Sequence, residues 1–482
     1  MGDFLLRNAR LPGDRGTSDV LVEGGRIAQV GPRIGASAAA ERVDLGGRWL
    51  MPGLWDAHVH FTQWARHRGR VDLSGATSAA DAAATLLSQP VPLRGPIVGR
   101  GFQDALWPDA LGPDGLRADL LDRGGVSVVA VSHDLHCVWL NDAAAALLGA
   151  PHAGVLRERD AFAAEIALDE VMGSAEPLVA AAASAAAARG LVGVRDLEFA
   201  DNVEAWTERV ASGLDILRVE ACIYPERLGA SDGRGLAGGE VVRGTGGLVS
   251  VGGLKIFTDG ALNTRTALTH EPYGSPGSAG HAAHEPAALA ELVAAARDRR
   301  LEAAVHAIGD LAVTRALDAF EATGARGSIE HAQLVARDDL PRFARLGVTA
   351  SVQPQHAIDD RDVADAVWPD RSDRAFAYRN LLEAGAKLVL GSDAPVAELD
   401  PWVTIAAAVS RTDDDRPPWH PEQELGREDA IAASTRSALE VGAVADLIAV
   451  EADPLAASAQ ELRRMSVALT LVGGRVTHSE LA

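Results

Sequence analysis

The chain has 482 residues, 47% hydrophobic but only 4% aromatic, a globular composition long enough to bury a large core. With Asp+Glu 67 against Lys+Arg 45 its formal net charge is −22, which disfavours nucleic acid and anionic membrane surfaces as partners. No apolar run approaches the ~18 residues of a membrane span, and the one in MGDFLLRNARLPGD is too short for a signal peptide, so a cytoplasmic location is expected.

In chain order, residues 4 to 52 read as short strands with tight turns: Phe4-Leu5-Leu6, Asp19-Val20-Leu21-Val22, and Ile27-Ala28-Gln29-Val30 after the turn Glu23-Gly24-Gly25-Arg26. Paired glycines between β-branched runs signal a hairpin. The pattern returns near the other end, where Ala468 to Val472 meets Gly473-Gly474 and Arg475-Val476-Thr477, preceded by the apolar run Ala445 to Val450. The two ends, 1–52 and 436–482, are therefore expected to share one small β-domain.

Between them, apolar runs near 54–60, 190–196, 216–223, 252–258, 302–307, 327–331, 348–353 and 387–393 are each followed by a plausible helix. One-face spacing marks Leu289, Leu292, Val293 and Ala296, and again Val313, Ala316, Leu317 and Phe320, as helical. Eight such units predict an α/β fold of TIM-type (β/α)8 barrel over 53–435, with catalytic groups gathered at the carboxyl ends of the strands. The stretch from Phe61 to Arg189 is too long for one crossover and predicts an inserted subdomain within about 61–175. Its Ala-rich tail, Pro177 to Ala188, returns the chain to the barrel as a helix.

The chemistry-bearing residues fall at these strand ends. In Pro52-Gly53-Leu54-Trp55-Asp56-Ala57-His58-Val59-His60, residues two apart on a strand share a face, so His58 and His60 can present two imidazoles to one ion. Lys255, His306, His331, Gln353 and Asp393 end later apolar runs. An ammonium in Gly252-Gly253-Leu254-Lys255-Ile256-Phe257 is poorly solvated and shifts toward the neutral amine, unless Lys255 snorkels from an edge strand. Asp393 in Gly391-Ser392-Asp393-Ala394-Pro395 is a carboxylate ligand or a turn residue. Two cysteines, Cys137 and Cys222, are too few for a disulfide framework and read as buried thiols; Cys222 is also a conceivable metal ligand.

The order His-x-His, Lys, His, His, Asp resembles the metal-dependent amidohydrolase superfamily. The phrases GGLKIFTDGALNTRTA, AAVHAIGD, IEHAQLV, SVQPQHA and LVLGSDAPV look like the branch that includes N-substituted formamide deformylases. The resemblance runs from about Asp19 to about Val476 and implies a β-sandwich built from both termini beside the barrel. It implies two zinc ions: His58, His60 and Asp393 on one, His306 and His331 on the other, bridged by a hydroxide and by a carbon dioxide-derived carbamate on Lys255. Bound metal lowers the pKa of water to about 7 and polarises a carbonyl. Asp393 then serves as catalytic acid and base, and the reaction is hydrolysis of a C–N bond in a small N-acyl or N-formyl amide.

Alternatives on the same site are a lactone, carbamate or cyclic-amide hydrolase, a mononuclear deaminase without a carboxylated lysine, and a scaffold that has lost catalysis. Glu330 and Asp310 read as carboxylates that orient imidazoles or loops. For substrate contacts, His136 in Ser132-His133-Asp134-Leu135-His136 matches a histidine of the deformylase branch, against a structural loop role. Arg265, expected in a loop over the mouth, suits a carboxylate or carbonyl oxygen, or else a structural salt bridge. Gln353, His356 and Trp64 are further candidates. The run Thr412-Asp413-Asp414-Asp415 reads as a solvated loop, and a stretch that relatives carry before Gly442 is missing here. A homo-oligomer is compatible with all of this.

Overall fold

The structure, a computed structural model, describes residues 3–13, 16–35, 40–110, 115–229, 235–274 and 277–481. Eight parallel strands form one sheet: β1 (Leu54–Val59), β2 (Leu191–Asp196), β3 (Arg218–Ile223), β4 (Val249–Phe257), β5 (Ala303–Ala307), β6 (Gly327–His331), β7 (Thr349–Val352) and β8 (Leu388–Leu390). They are hydrogen-bonded in sequence order, each within the span predicted for it or overlapping it. Near-continuous burial along β2, β5 and β6 is what strands covered on both faces require. Amphipathic helices Pro286–Asp298 and Asp310–Thr323 seal the outside, with Leu289, Val293, Ala296, Val313, Ala316, Leu317 and Phe320 buried.

The ring closes just beyond β8, where Asp393 N–H donates to the His58 carbonyl (2.8 Å) and His60 N–H to the Ala394 carbonyl (2.8 Å). Gly391 makes that approach possible, since a Cβ there would sit 2.6 Å from the His58 nitrogen. The seam of the barrel is thus the place where the first histidine pair meets the last carboxylate.

Both chain ends build a separate eight-stranded sheet around one core of Leu6, Val20, Ile27, Leu50, Leu447 and Leu469, among others. Its hairpins Thr17–Glu23/Arg26–Gly31 and Val467–Val472/Arg475–Ser479 turn on Gly24-Gly25 (φ 56 and 77°) and Gly473-Gly474 (φ 56 and 69°). Two consecutive positive φ angles match the right-handed twist of paired strands and cost little only for glycine.

Between β1 and β2 the chain forms a five-stranded sheet running from Val71–Asp72 to Gly154–Arg157. Two apolar clusters cover its faces, one around Phe102 and Trp139, the other around Val129 and Leu156. The antiparallel pair Val128–Ser132 and Cys137–Leu140 delivers the loop 133–136 to the carboxyl end of the barrel. Helix Arg159–Met172 follows and meets helix Glu176–Ala188 at 105°. Among the described residues no single helix is long and apolar enough to cross a membrane.

Candidate metal centre and substrate cavity

His58, His331 and Asp393 each place a ligand atom within 4.8 Å of the others, all three residues buried. His58 Nε2 lies 3.4 Å from Asp393 Oδ1 and 3.4 Å from Lys255 Nζ, and His60 Nε2 is 3.7 Å from the same Asp393 oxygen. His331 Nδ1 is 3.8 Å from Asp393 Oδ2. His331 (φ 72°) and Asp393 (φ 58°) hold left-handed backbone, uncommon for residues with a Cβ and a form of strain that collects at functional sites.

Partners behind the imidazoles fix their directions. His58 Nδ1 donates to Glu330 Oε2 (2.7 Å), which leaves Nε2 facing Asp393 and Lys255. Glu330 is in turn bound by Arg195 (3.3 Å) and the Ser328 hydroxyl, and Arg195 pairs with Glu220 (3.0 Å), which pairs with Arg436. His331 Nδ1 lies 2.9 Å from Gln353 Oε1, so Gln353 positions an imidazole. His306 packs on His331 with ring centroids 4.6 Å apart, yet its Nε2 lies 3.2 Å from the Gly260 carbonyl and outside the three-residue cluster.

These residues fit a divalent cation. Burial first, then the charge on Lys255, holds His58 and His306 well below the usual imidazole range and His60 at about 3, while burial and the neighbouring imidazoles do the same to His331. Neutral imidazole is the form that binds metal. Burial pushes Asp393 up to about 7 against the pull of Lys255, and lowers Lys255 toward the free amine against Glu330 and Asp393. A carboxylate and two imidazoles at ligand spacing, with His60 3.7 Å from the same carboxylate, are a donor set for a hard or borderline metal.

The cluster opens into a small cavity of about 60 Å³ lined by His60, His136, Lys255, His306, His331, His356 and Asp393, among others. It continues into a cleft of about 560 Å³ that shares His136, Phe162, Phe199 and Phe257. Phe199 and Phe257 stack within 2° of parallel at 6.0 Å, and Phe199 stacks on Tyr224 at 4.9 Å, an apolar aromatic wall. His136 stands where cavity and cleft meet. Burial opposes its protonation, but Glu158, 2.8 Å from Nδ1, raises it above its ordinary value. Glu158 itself, burial notwithstanding, is held at about 2 by His136, Thr266 and Thr264.

Of the other expected contacts, His356 lines the cavity with its ring stacked on His331 at 6.3 Å. Arg265 does not: the turn after β4 leaves it exposed at φ 57°, outside the lining of cavity and cleft. Trp64 is buried against Phe61, and Cys222 is buried with Leu197 and Ala304; neither is among the cavity lining. Asp310 anchors a loop by accepting from His270 N–H (3.0 Å) and pairing with Arg374 (3.3 Å). Sequence reasoning missed Glu158, Phe162, Phe199 and Asp259. Asp259, which accepts from the backbone N–H groups of Leu268, Ile308 and Gly309, lay in the quoted Thr258-Asp259-Gly260 and was findable; the others come from the insertion and a strand-following loop with no pattern of their own.

Residues 41–478 match the profile described as the amidohydrolase family. The chain is 28% identical to the putative amidohydrolase YtcJ of Bacillus subtilis (strain 168), over 97% of each sequence. It is 25% identical to the N-substituted formamide deformylase of Arthrobacter pascens, over 47% of this chain and 45% of that one. The crystal structure of an uncharacterized metal-dependent hydrolase from Pyrococcus horikoshii OT3 superposes with a TM-score of 0.77 at 26% identity, covering 95% of this chain and 99% of that one.

Proposed function

Because this chain belongs to the amidohydrolase family and is a metal-dependent hydrolase, we propose that it cleaves the C–N amide bond of a small N-acyl or N-formyl amine. The observation that carries the proposal is the buried cluster of His58, His331 and Asp393, beside a small cavity lined by His331 and Asp393 that continues into a cleft with an apolar aromatic wall.

His58, His60, His331 and Asp393 would hold the metal, with His306 and Lys255 as the remaining ligands of a zinc pair. The metal would supply acidified water and a polarised carbonyl. A carbamate on Lys255 is supported by its burial at 3.4 Å from His58 Nε2: the free amine adds to carbon dioxide, forming an N–C bond and releasing one proton. Asp393 takes the proton released as the water oxygen bonds to the amide carbon. It returns that proton to the nitrogen as the C–N bond breaks, giving a carboxylic acid and an amine. His136, whose Nδ1 is occupied by Glu158, offers its Nε2–H to the developing oxyanion, a charge-assisted donor in a site shielded from water. A cytoplasmic location accords with the two free, buried thiols.

A second reading is a mononuclear deaminase, favoured by one observation: only His58, His331 and Asp393 gather at ligand spacing among the described residues. Elemental analysis on protein expressed with zinc and bicarbonate separates the two. Two zinc ions per chain, falling to one or none in Lys255→Ala, with release of amine from N-formyl and N-acyl amines, supports the bridged pair. One ion indifferent to Lys255→Ala, with ammonia released from aminated substrates, supports the deaminase.

A further inference from the structure

Helix Arg159–Met172 of the insertion packs Ala161, Ala164 and Leu168 beside Val129 and Leu156, and a second stripe of it, Phe162, Glu165, Ile166, Asp169 and Glu170 at steps of three and four, meets the barrel mouth. The stripe begins aromatic, where Phe162 lines the substrate cleft, and turns acidic along a side pocket of about 310 Å³. Gln63 and Arg66, from helix Phe61–His67 after β1, and Glu198 and Phe199, from the loop after β2, form the rest of that pocket. Phe162, Ile166 and Phe199 border cleft and pocket alike, and Phe199 stacks on His60 at 5.4 Å. Ile166 is 56% and Phe199 37% exposed, so this shared border is open to an apolar group lying across it.

The pocket sets four carboxylates, Glu165, Asp169, Glu170 and Glu198, against one guanidinium, Arg66. Arg66 is already engaged: its Nε is 3.2 Å from Asp169 Oδ1 and its Nη2 donates to the Gly173 carbonyl (2.6 Å). Arg70, behind the pocket, approaches the same Asp169 oxygen at 3.8 Å. Glu198 is aimed by two backbone donors, the N–H groups of Gln63 (2.8 Å) and Phe199 (3.1 Å). Glu165 is only 7% exposed, yet it has no hydrogen bond or ion pair among the described residues, and its oxygens are not sealed from water. Burial holds it up at about 7 against the charge of Arg70, and burial with Asp196 holds Glu198 up at about 8, the mark of carboxyls short of positive charge.

A carboxylate buried without a partner costs stability unless a ligand supplies one. A metal ion does not suit this pocket: among the described residues only His58, His331 and Asp393 bring three ligand atoms within 4.8 Å of one another, so these carboxylates stand too far apart to enclose one. Resting on the amide-hydrolase reading of the adjoining metal ligands, we propose that the side pocket is a specificity site for an organic cation that the substrate carries beyond an apolar spacer. The spacer crosses Phe162, Ile166 and Phe199, and the cation meets Glu165. At the rise of an α-helix, Glu165 and Asp169 lie about 4.5 Å and about 10.5 Å along the axis from Phe162, a reach that calls for a spacer of several methylenes. The substrate class is then an N-acyl or N-formyl diamine, and Glu165 is its specificity residue.

The test is calorimetric titration of the zinc-loaded protein with N-(5-aminopentyl)methanesulfonamide and with N-hexylmethanesulfonamide, which differ by an ammonium in place of a methyl group. Neither has a carbonyl to be hydrolysed, so binding is read apart from turnover. The cationic compound is expected to bind about tenfold more tightly, and Glu165→Gln and Glu170→Gln each to cut that advantage to about threefold or less. Glu170 is exposed, so its variant keeps the test open if Glu165→Gln fails to fold. Equal affinities, no binding of either compound, or a preference that persists in every variant that folds overturns the proposal. Acetate release from N-(5-aminopentyl)acetamide and N-hexylacetamide is followed separately. Preferential binding without acetate release leaves the cation site standing and removes amide hydrolysis, whereas release from both acetamides without preferential binding does the reverse.

Discussion

Replacing Glu330 examines whether the buried charge behind His58 organises the metal centre. Glu330 is fully buried, accepts from His58 Nδ1 at 2.7 Å and pairs with Arg195 at 3.3 Å. In Glu330→Gln an acceptor remains but its charge is gone, so His58 is held less firmly in the tautomer that leaves Nε2 free. Loss of such an outer carboxylate typically costs about 10–100-fold in metal affinity, about 1.4–2.7 kcal/mol. Stability should fall less in this variant, because Glu220 still neutralises Arg195. Glu330→Ala is different in kind: it strands His58 Nδ1 and removes one of the two carboxylates on Arg195, and breaking a buried pair costs about 3–5 kcal/mol. Zinc affinity is read by competition with a chromophoric chelator and stability by urea unfolding of the zinc-free proteins. Wild-type zinc affinity in Glu330→Gln, with Glu330→Ala no less stable than Glu330→Gln, would refute the reasoning.

His306→Asn should lose most bound metal and all hydrolysis while the barrel still folds, as read by elemental analysis and circular dichroism; retained turnover removes His306 from the ligand set. Gly391→Ala places a Cβ 2.6 Å from the His58 nitrogen, so the seam must open; a destabilisation of about 1–3 kcal/mol with weakened zinc binding is expected in urea and competition titrations. For the Glu158–His136 pair, Glu158 is depressed from 4.5 to about 2, so its contribution is complete above pH 4.5 and is lost as pH falls toward 2. His136 is raised above 6.5, so its share is complete below that pH and is lost as pH rises through its folded value. The stability gap between wild type and Glu158→Gln should therefore be widest between pH 4.5 and 6.5 and narrow on both sides; a gap independent of pH in urea midpoints would separate the pair from stability.

The barrel was legible because most of its strands are short, largely apolar runs with a polar residue at or just beyond the end, and the terminal hairpins because Gly24-Gly25 and Gly473-Gly474 admit little else. The cluster of His58, His331 and Asp393 was legible for a related reason: a histidine or aspartate at the mouth of an apolar run has few structural uses. Glu330 was read as a carboxylate orienting an imidazole, and its bond to His58 is such a contact. Gln353 was placed at a strand end but assigned to substrate, since nothing local tells whether an amide faces the cavity or a neighbouring ring; here it faces His331. Arg265 misled because a conspicuous arginine after a site strand says nothing of the left-handed turn that points it outward. Glu158, Phe162 and Phe199 reach the site through contacts far apart in sequence, such as Thr266 to Glu158 across 108 residues, and no short-range pattern encodes them.

The seam between β1 and β8 has a consequence for how the molecule comes apart. His58 and Asp393 are joined through backbone as well as side chain, so the closure of the ring and the ligand cluster share the same residues. A nascent chain carries His58 and His60 early but cannot complete their surroundings until the strand before Asp393 has been made, and closing so long a loop is entropically costly. An ion held there would act as a clasp on the whole cylinder, raising the free energy of global opening by its binding energy instead of stiffening one loop.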